Sequence, residues 1–404
     1  MIWRGALFNF FSQDDFIFIE HFSQNNLASD IRNVFGPPTV THWRPLHNLY
    51  FLIAGNIFAK NFIGYHLLTF AVVIITVFFV YKISQFLTKN NTAAVVSAIF
   101  YLASPSHFVS MFWISGAATL IGFLFLAVSF WSYLSNKKLQ SFVFFILAIL
   151  ASEAMIVGII VFSALIVVNN LGRDFKFLLT LILGSLPFAL VKLIFTSRET
   201  FEVYKLEVST RTVDAVIYYI TRILGFSETS QDQLTSFGLL LLWSFIIVSS
   251  SKFLLKNYKR LILPSAAIFA GLFPFILIPS HLSAHYMNIS IWGLSMILAL
   301  VFARLRNVSI LFIAAIFLAI SLINIEKTKG NNWVVTRSNL AKEYIKKIEN
   351  DNPPTGSTLV FKDSQLSTAQ EAYIALGTGE AIKFWFADRN YTTCFSAFED
   401  CLEK

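Results

Sequence analysis

Two adjacent carboxylates, Asp14 and Asp15, stand in an aromatic stretch near the start of the chain, with Phe11 and Phe16 beside them. Adjacent aspartates cannot point the same way, so one can face a substrate while the other binds backbone or a cation. An interface crowded with aromatic rings desolvates a carboxyl and raises its pKa towards that of a useful general base. The pair therefore predicts a general-base site, and the alternative is a pair of helix-capping residues or a solvated loop.

A positively charged and aromatic cluster, His42-Trp43-Arg44-Pro45, follows on the same segment. Guanidinium and imidazolium groups bind phosphate through charge-assisted hydrogen bonds, so we interpret His42 and Arg44 as candidate phosphate ligands. The alternative is that Trp43 and Arg44 anchor the chain at a membrane interface, while Pro45 starts a short helix over 46–58.

Polar side chains also occur where later apolar runs end, and we expect them to converge on the same face. Glu153 interrupts an apolar stretch, and an acid at membrane depth is a functional candidate unless it caps a helix there. Lys192 either binds a phosphate or extends to the interface, and for His107 the alternative is a place in the aromatic belt. The remaining candidates for substrate binding are His285 and Tyr286.

The elements that position these residues are expected to be membrane helices. The chain has 404 residues, of which 56% are hydrophobic and only 13% charged, outside the range of soluble globular domains. A spanning helix needs about 20 apolar residues, and the pattern predicts a mainly α, polytopic bundle of about 10–11 transmembrane helices. The apolar segments lie at 62–87, 92–104, 113–134, 141–152, 155–168, 177–196, 236–254, 261–279, 285–303 and 308–324.

Lysine and arginine are concentrated in alternate connections between these segments. The short basic connections contain Lys89, Lys137, Lys252 and Arg304, and by the positive-inside rule they face the cytoplasm. The carboxylate pair, the histidines, the connection 197–234 and the C-terminus are therefore expected on the extracytoplasmic side. This topology accounts for the formal net charge of +8 without nucleic acid as a partner, and the short basic loops favour a prokaryotic plasma membrane.

The chain divides into an extracytoplasmic segment at 1–61, a membrane domain at 62–327, and a small extracytoplasmic α/β domain at 328–404. In the last part we expect helix 333–348, strand 357–361, helix 367–376 and strand 381–387. So small a domain is marginal as an independent fold and is expected to pack on the membrane part. Cys394 and Cys401 are able to form one disulfide there.

The N-terminus does not fit this topology by itself, because the residues before Asp14 are too few to span a bilayer. Either the downstream helices set the orientation alone, or a further helix precedes Met1, with Ala6 to Phe11 as its outer end. We favour the second interpretation.

The sequence contains no Walker A motif, HExxH, GxSxG or Cys/His metal cluster, which argues against nucleotide-driven transport, metalloproteolysis and serine hydrolysis. The remaining groups are a base, positive charges for a phosphate and a membrane-embedded groove. Transfer of a sugar from a lipid-linked phosphate needs these groups, because a phosphate leaves readily without a general acid. One carboxylate would deprotonate the acceptor hydroxyl, Arg or Lys would stabilise the departing phosphate, and in-line attack would invert the anomeric centre.

Short motifs follow one another along residues 9–300: Asp14-Asp15-Phe16, His42-Trp43-Arg44-Pro45-Leu46, Gly64-Tyr65-His66-Leu67-Leu68, Ser104-Pro105-Ser106-His107 with Trp113-Ile114-Ser115-Gly116, Ser152-Glu153, and His285-Tyr286. This ordered set resembles the GT-C superfamily of polytopic glycosyltransferases, closest to its protein O-mannosyltransferase-like branch and the relatives that carry tetratricopeptide repeats. The resemblance implies a polyprenyl-phosphate monosaccharide as donor and a lipid, glycan or protein hydroxyl as acceptor. It also implies Asp14 or Asp15 as the catalytic base, of which we prefer Asp15, and it makes a bound divalent metal less expected than its absence.

Three positions depart from the family pattern. Ser152 stands where the family has Lys, and Ala117 and His285 stand where it tends to have Arg. The loss of three positive charges bears on phosphate binding and on donor identity. The residues that could compensate are Lys192, Arg198 and Arg44.

Two alternatives from other functional classes stay open. A transporter or flippase of lipid-linked glycan intermediates would also need many helices and a polar cavity. Such proteins tend to show inverted repeats and helices broken near the midplane, whereas the polar candidates of this sequence cluster at one face. The second alternative is a membrane scaffold or inactive relative, which the absent basic positions favour.

Overall fold

The computed structural model of the chain describes residues 2–22, 27–36, 43–168, 174–195, 204–228 and 233–401. Within these ranges the protein is mostly helical, with 18 α-helices and one sheet of two short strands. The helices are α1 (Asp14–His21), α2 (Leu27–Val34), α3 (Pro45–Phe58), α4 (Phe62–Thr88), α5 (Asn91–Ala103), α6 (Phe108–Phe112), α7 (Ala117–Leu134), α8 (Lys138–Ala151), α9 (Gly158–Val168), α10 (Phe175–Phe195), α11 (Thr210–Ile223), α12 (Gln233–Lys256), α13 (Tyr258–Ile276), α14 (Asn288–Phe302), α15 (Asn307–Lys329), α16 (Trp333–Asp351), α17 (Ala369–Ala375) and α18 (Glu380–Trp385). The strands are β1 (Thr358–Phe361) and β2 (Thr392–Phe395).

All the predicted apolar segments coincide with helices. Six helices in the described ranges are long and apolar enough to cross a membrane: α4, α7 with the turn before it (Ile114–Leu134), α12, α13, α14 with the turn before it (Ala284–Phe302), and α15. The number rises to seven if α5 and its bent continuation form one span. Three further apolar helices, Lys138–Ala151, Glu153–Val168 and Phe175–Val191, are shorter, so the described ranges support six or seven spans where about 10–11 were predicted. An integral membrane protein is the class that these helices support.

The bend after α5 directs the following segment to the end of the bundle where α1 lies. Pro105 cannot continue a helix, because its ring occupies the position of the hydrogen-bonding N–H and restricts Ser104 before it. The helical pair Asn91–Ala103 and Pro105–Phe112 is accordingly bent by 45°. The segment from the bend to Gly116 therefore runs across the ends of the spans, where it contacts α1 and the turn that precedes α14.

The spans pack through large aromatic side chains. Trp292 of α14 lies with its ring centroid 5.7 Å from that of Phe123 and 5.1 Å from that of Phe130, both on α7. α13 approaches α14 closely at Gly293, where an added Cβ would lie 2.7 Å from the carbonyl oxygen of Pro264. This close packing fixes α13 against α14.

The C-terminal part confirms three of its four predicted elements. Helix 333–348, strand 357–361 and helix 367–376 correspond to α16, β1 and α17. The predicted strand 381–387 is wrong, because residues 381–385 lie in α18 and a turn follows. The second strand is β2, which pairs in parallel with β1. A short apolar run cannot be assigned to a strand or a helix from its pattern alone. Cys394 of β2 forms a disulfide with Cys401.

The C-terminal part was expected to pack on the membrane part; it packs largely on the N-terminal segment, and the shared cluster reaches the membrane part at Tyr65 and Ile114. Phe10 contacts Trp385 with ring centroids 5.2 Å apart, and Phe11 contacts Phe384 at 6.5 Å. These rings belong to one buried hydrophobic cluster that also includes Phe16 and side chains of α3 and α16. The two chain ends therefore share a core directly beside the acidic pair.

Candidate functional site

Asp15 is a buried carboxylate that joins α1 to the start of a membrane span. Its Oδ1 accepts hydrogen bonds from the backbone N–H and the hydroxyl of Ser115, at 2.7 and 2.6 Å. Its Oδ2 accepts the backbone N–H of Ser12 at 3.0 Å. Because Ser115 lies in the first turn of the span Ile114–Leu134, the carboxylate meets the positive end of that helix.

The surroundings of Asp15 suit a structural carboxylate better than a catalytic one. Burial raises its pKa to about 7, although the hydrogen bonds from Ser115 and Ser12 oppose this rise. The side chain is only 1% exposed, so an acceptor hydroxyl has no approach to it. The geometry therefore favours the helix-cap alternative for Asp15, which is the reverse of the preference for Asp15 as the base.

Asp14 has the opposite environment. Its side chain is exposed, although the protein around it removes enough water to raise the pKa of its carboxyl. The nearby guanidinium of Arg44 opposes this rise, so the two groups lie within electrostatic range of each other. A carboxyl that is open to a substrate and has a raised pKa meets both requirements of a general base.

Arg44 and Glu153 form an ion pair that links two helix ends. The Nε of Arg44 donates to Oε2 of Glu153 at 2.7 Å, and each side chain is about one-fifth exposed. Arg44 directly precedes α3, and Glu153 begins the turn between α8 and α9. Burial alone would lower the pKa of Arg44, but the Glu153 carboxylate raises it overall. Arg44 is therefore cationic at any physiological pH.

A cluster of tyrosine and histidine side chains lies beside this ion pair. A hydrogen bond of 3.0 Å joins Nε2 of His281 to the hydroxyl of Tyr286. The ring of Tyr204 lies 4.6 Å from that of His281, and the rings of His285 and Tyr286 lie 3.9 Å apart. A further hydrogen bond of 2.5 Å joins Nδ1 of His285 to the Ser283 hydroxyl and fixes the orientation of that ring.

Electrostatic interactions connect this cluster with the Asp14 carboxyl and with the Arg44–Glu153 ion pair. Burial raises the pKa of Tyr204, the Asp14 carboxylate raises it further, and Arg44 opposes both effects. Glu153 also contributes to the pKa of Tyr204, and Tyr286 contributes to that of Arg44. Side chains from α1, the start of α3, the turn after α8, the segment before α11 and the start of the span Ala284–Phe302 therefore meet in one site.

The sequence-based candidates divide into three groups. The site brings together Asp14, Arg44, Glu153, His285 and Tyr286. His107 lies behind it, buried, with a hydrogen bond of 2.8 Å between its Nε2 and the carbonyl oxygen of Tyr101. His42 and Arg198 lie outside the described residues, and Lys192 lies in α10, where its side chain is outside the description.

The sequence patterns assigned no role to several groups that shape the site. Tyr204 lies in a long connection whose composition gave no signal, and Ser115 stood out only as a member of the motif Trp113-Ile114-Ser115-Gly116. His281 was visible only as part of the polar end of an apolar run. Each becomes significant through a contact with a residue far away in the chain, which residue spacing does not reveal.

The residue before Asp14 is held by the C-terminal part of the chain. Arg337 of α16 donates from Nη1 to Oε1 of Gln13 at 3.2 Å, and from Nε and Nη2 to the Glu371 carboxylate at 3.0 and 3.1 Å. The backbone N–H of Gln13 donates to the carbonyl oxygen of Ala375 at 3.0 Å. Hydrogen bonds to α16 and α17 therefore set the direction in which α1 begins.

The described residues contain no group of three or more His, Cys, Asp or Glu side chains arranged to hold a metal ion. Of the two carboxylates in the site, Glu153 is paired with Arg44, and Arg44 also acts on the pKa of Asp14. Metal dependence stays a prediction for experiment.

Comparison with known proteins finds no family model that matches the chain and no curated protein that matches it significantly.

Proposed function

We propose that the protein is an integral membrane glycosyltransferase that moves a monosaccharide from a polyprenyl-phosphate donor to an acceptor hydroxyl on the extracytoplasmic face. The observation that carries this proposal is the pairing of an exposed Asp14 carboxyl of raised pKa with the Arg44 cation at the ends of membrane helices. A base and a phosphate ligand are the groups that this transfer requires. The resemblance to the GT-C superfamily supports the same class of reaction.

Asp14 acts as the general base in this proposal. As the acceptor oxygen forms its bond to the anomeric carbon, its proton passes to Asp14 and the bond from that carbon to the phosphate oxygen breaks. The electron pair of the broken bond leaves with the polyprenyl phosphate. Attack and departure occur on opposite faces, so the anomeric configuration is inverted. A positioned base contributes a factor of about 10²–10⁴ in rate.

Arg44 and the neighbouring polar rings bind the donor phosphate. Glu153 engages Nε of Arg44, and in the described part of the chain no carboxylate hydrogen-bonds its two terminal nitrogens. A phosphate oxygen can bind there, and Tyr204 together with the hydrogen-bonded pair of His281 and Tyr286 lines the same site. Because Glu153 offsets part of the Arg44 charge, we expect modest affinity for the headgroup and a large contribution from the lipid chain.

The test is the release of free polyprenyl phosphate from a panel of polyprenyl-phosphate monosaccharides. Purified full-length protein in lipid, supplied with a crude acceptor extract, is compared with Asp14→Asn and with Asp214→Asn as a matched control. Asp214 is an exposed carboxylate on α11. We expect one donor to be consumed, a loss of at least roughly a hundredfold for Asp14→Asn, and no loss for the control.

One result would overturn the proposed reaction class, and another would overturn the assignment of the base. If no donor of the panel is consumed by any variant, the protein is not a transferase of this class, and the transporter or scaffold alternative takes its place. If a donor is consumed and Asp14→Asn matches the wild-type rate, the reaction class holds and the assignment of the base is wrong.

A further inference from the structure

α11 lies in the connection that was expected to be an extracytoplasmic loop, and its surface has three distinct stripes. Val213, Ile217 and Ile220 recur at helical spacing and are 59%, 57% and 45% exposed. A second stripe, which contains Arg211 and Asp214, is polar and also exposed. A helix with one apolar and one polar exposed face suits a boundary between lipid and water.

The third stripe of α11 is buried against the membrane helices. Ala215 and Tyr219 are fully buried, and Ile223 is 6% exposed. This face packs on α13 and on the turn that precedes α14. The hydroxyl of Tyr219 accepts the backbone N–H of Ser283 at 3.5 Å, so the docking of α11 is specific on this side. The exposed apolar stripe is therefore a separate surface with no role in this packing.

Both ends of α11 are tied to spans, and these contacts set its depth. Before the helix, the backbone N–H of Glu207 donates to the carbonyl oxygen of Leu277, directly after the last residue of α13. After the helix, Trp243 donates from Nε1 to the carbonyl oxygen of Leu224 at 2.9 Å, and Asn324 donates from Nδ2 to that of Gly225 at 3.1 Å.

These contacts place α11 beside the membrane-spanning segments. Trp243 lies well inside α12, and Asn324 lies before the last turn of α15, so neither is at an extreme end of its helix. The C-terminal end of α11 is therefore level with span residues. α13, on which α11 packs, also exposes apolar side chains in its second half, among them Phe269 and Phe273. The stripe on α11 continues this lipid-facing surface.

We propose that α11 lies in the plane of the extracytoplasmic lipid leaflet, with Val213, Ile217 and Ile220 against acyl chains and Asp214 towards the headgroups and water. The occupant of the stripe is bilayer lipid, because its depth and its continuity with α13 place it where lipid chains are. Leu206 and Val208, just before the helix, are 70% and 86% exposed and extend the same apolar surface. This proposal does not depend on the enzymatic one.

If α11 lies in lipid, two hydrogen bonds connect this helix to His285, a candidate substrate-binding residue. Tyr219, on the buried side of α11, bonds Ser283, and Ser283 bonds His285. Lipid that packs on α11 thus stabilises the segment that orients His285.

The test places a spin label at single positions of the full-length protein in phosphatidylcholine and phosphatidylglycerol vesicles. The native cysteines form a disulfide, so a thiol reagent without reductant labels only the introduced residue. Ile217→Cys and Val213→Cys report on the apolar stripe, and Asp214→Cys on the same helix is the control. We expect labels at 217 and 213 to collide with membrane-dissolved oxygen and to be shielded from a water-soluble nickel complex, and the reverse at 214.

Either of two other results would contradict the proposal. Equal access of the nickel complex to positions 217 and 214 would show that α11 lies above the membrane in water. Shielding of 217 from both oxygen and nickel would show that protein covers the stripe, either a second copy of this chain or another partner. Because all three positions are exposed, the substitutions themselves remove no packing.

Discussion

Arg337 and Gln13, separated by 324 positions in the chain, are joined by a hydrogen bond of 3.2 Å from Nη1 to Oε1. Gln13 has φ 54° and ψ −124°, a backbone region that side chains rarely adopt and that costs about 1–3 kcal/mol. The hydrogen bond helps to hold this conformation, after which α1 begins with Asp14 open and Asp15 buried. The C-terminal part of the chain therefore acts on the candidate base through Gln13.

The first prediction concerns Arg337 as a positioning residue. Arg337→Ala removes the bridge between Gln13 and Glu371, so Asp14 samples more directions and the turnover number falls by roughly tenfold or more. The KM for the donor stays near its wild-type value, because the phosphate ligands are unchanged. Steady-state kinetics with the donor identified by the release assay measure both quantities.

The matched control for Arg337 is Arg389→Ala, because Arg389 is also in the C-terminal part but pairs only loosely with Asp388 at 3.7 Å. Arg337→Lys, which keeps the charge, should recover part of the turnover. If Arg337→Ala lowers the amount of folded protein but leaves turnover per folded molecule unchanged, its role is structural only.

The second prediction concerns the close contact at Gly377. A Cβ added there would lie 2.5 Å from the carbonyl oxygen of Gln13, and Gly377 has φ +57°. Gly377→Ala should reduce the free energy of unfolding by about 1–3 kcal/mol or more, and should lower turnover because Gln13 shifts. Gly356→Ala is a control for backbone strain alone, since Gly356 has φ +78° and no atom within 4 Å. Equal thermal unfolding midpoints for the two variants would contradict the prediction.

The sequence predicts the helices well because each apolar run is long compared with the uncertainty of its ends. Pro45 and the following apolar residues, for example, predict helix 46–58, and α3 begins at Pro45. The strand expected at 381–387 is not formed, because the run is short and tertiary contacts decide its conformation. In α18, Ala381 and Ile382 are buried in the hydrophobic cluster that also contains Phe10, Phe11 and Phe16.

The sequence also identifies the acidic pair without distinguishing its members. That distinction depends on Ser115, which lies 100 positions away and donates hydrogen bonds to Asp15. Arg337 and Tyr204 were not predicted for the same reason, because their partners are distant in the chain. Local patterns report propensity and burial, whereas the site is built from long-range contacts.

The third prediction is the pH dependence of the proposed reaction. A general base is active when ionised, so activity falls as the pH drops through the pKa of Asp14. Desolvation by the surrounding protein raises that pKa, so the acidic limb of the kcat/KM profile should lie above the usual range of an aspartate. Arg44→Gln removes the opposing positive charge and should move the limb to higher pH still. An acidic limb at the ordinary position of a solvated carboxyl would contradict this assignment.

The fourth prediction concerns the stability that depends on Asp15. Burial raises its folded-state pKa from the ordinary 3.8 to about 7, so its favourable contribution is complete below pH 3.8 and is lost progressively as the pH rises to about 7. Ser115→Ala removes a hydrogen bond to the ionised form and should cost about 1–3 kcal/mol, more at pH 8 than at pH 5.5. Thermal unfolding midpoints at both pH values measure the difference.

The control for Ser115 is Ser110→Ala, because the Ser110 hydroxyl is also buried but faces the hydroxyl of Thr119 at 3.4 Å instead of a carboxylate. It should lower the midpoint equally at the two pH values. The same pH dependence in both variants would mean that Asp15 is not the titrating group.

The fifth prediction separates the structural and ligand-binding roles of the Arg44–Glu153 pair. Arg44→Ala deprives a mostly buried carboxylate of its guanidinium partner, and Glu153→Ala does the reverse, so each single variant should lose stability. The double variant should lose less than the sum, with a coupling energy of about 0.5–3 kcal/mol. Thermal unfolding of the four proteins in the same lipid measures this coupling.

Donor kinetics on the same four proteins then test the phosphate assignment. If Arg44 binds the donor phosphate, KM for the donor rises in Arg44→Ala and stays raised in the double variant, where stability has been partly restored. Glu153→Ala, which leaves the Arg44 charge without this counterion, should bind the donor at least as tightly as the wild type. A KM that recovers together with stability in the double variant would show that the pair only holds α3 against the turn after α8.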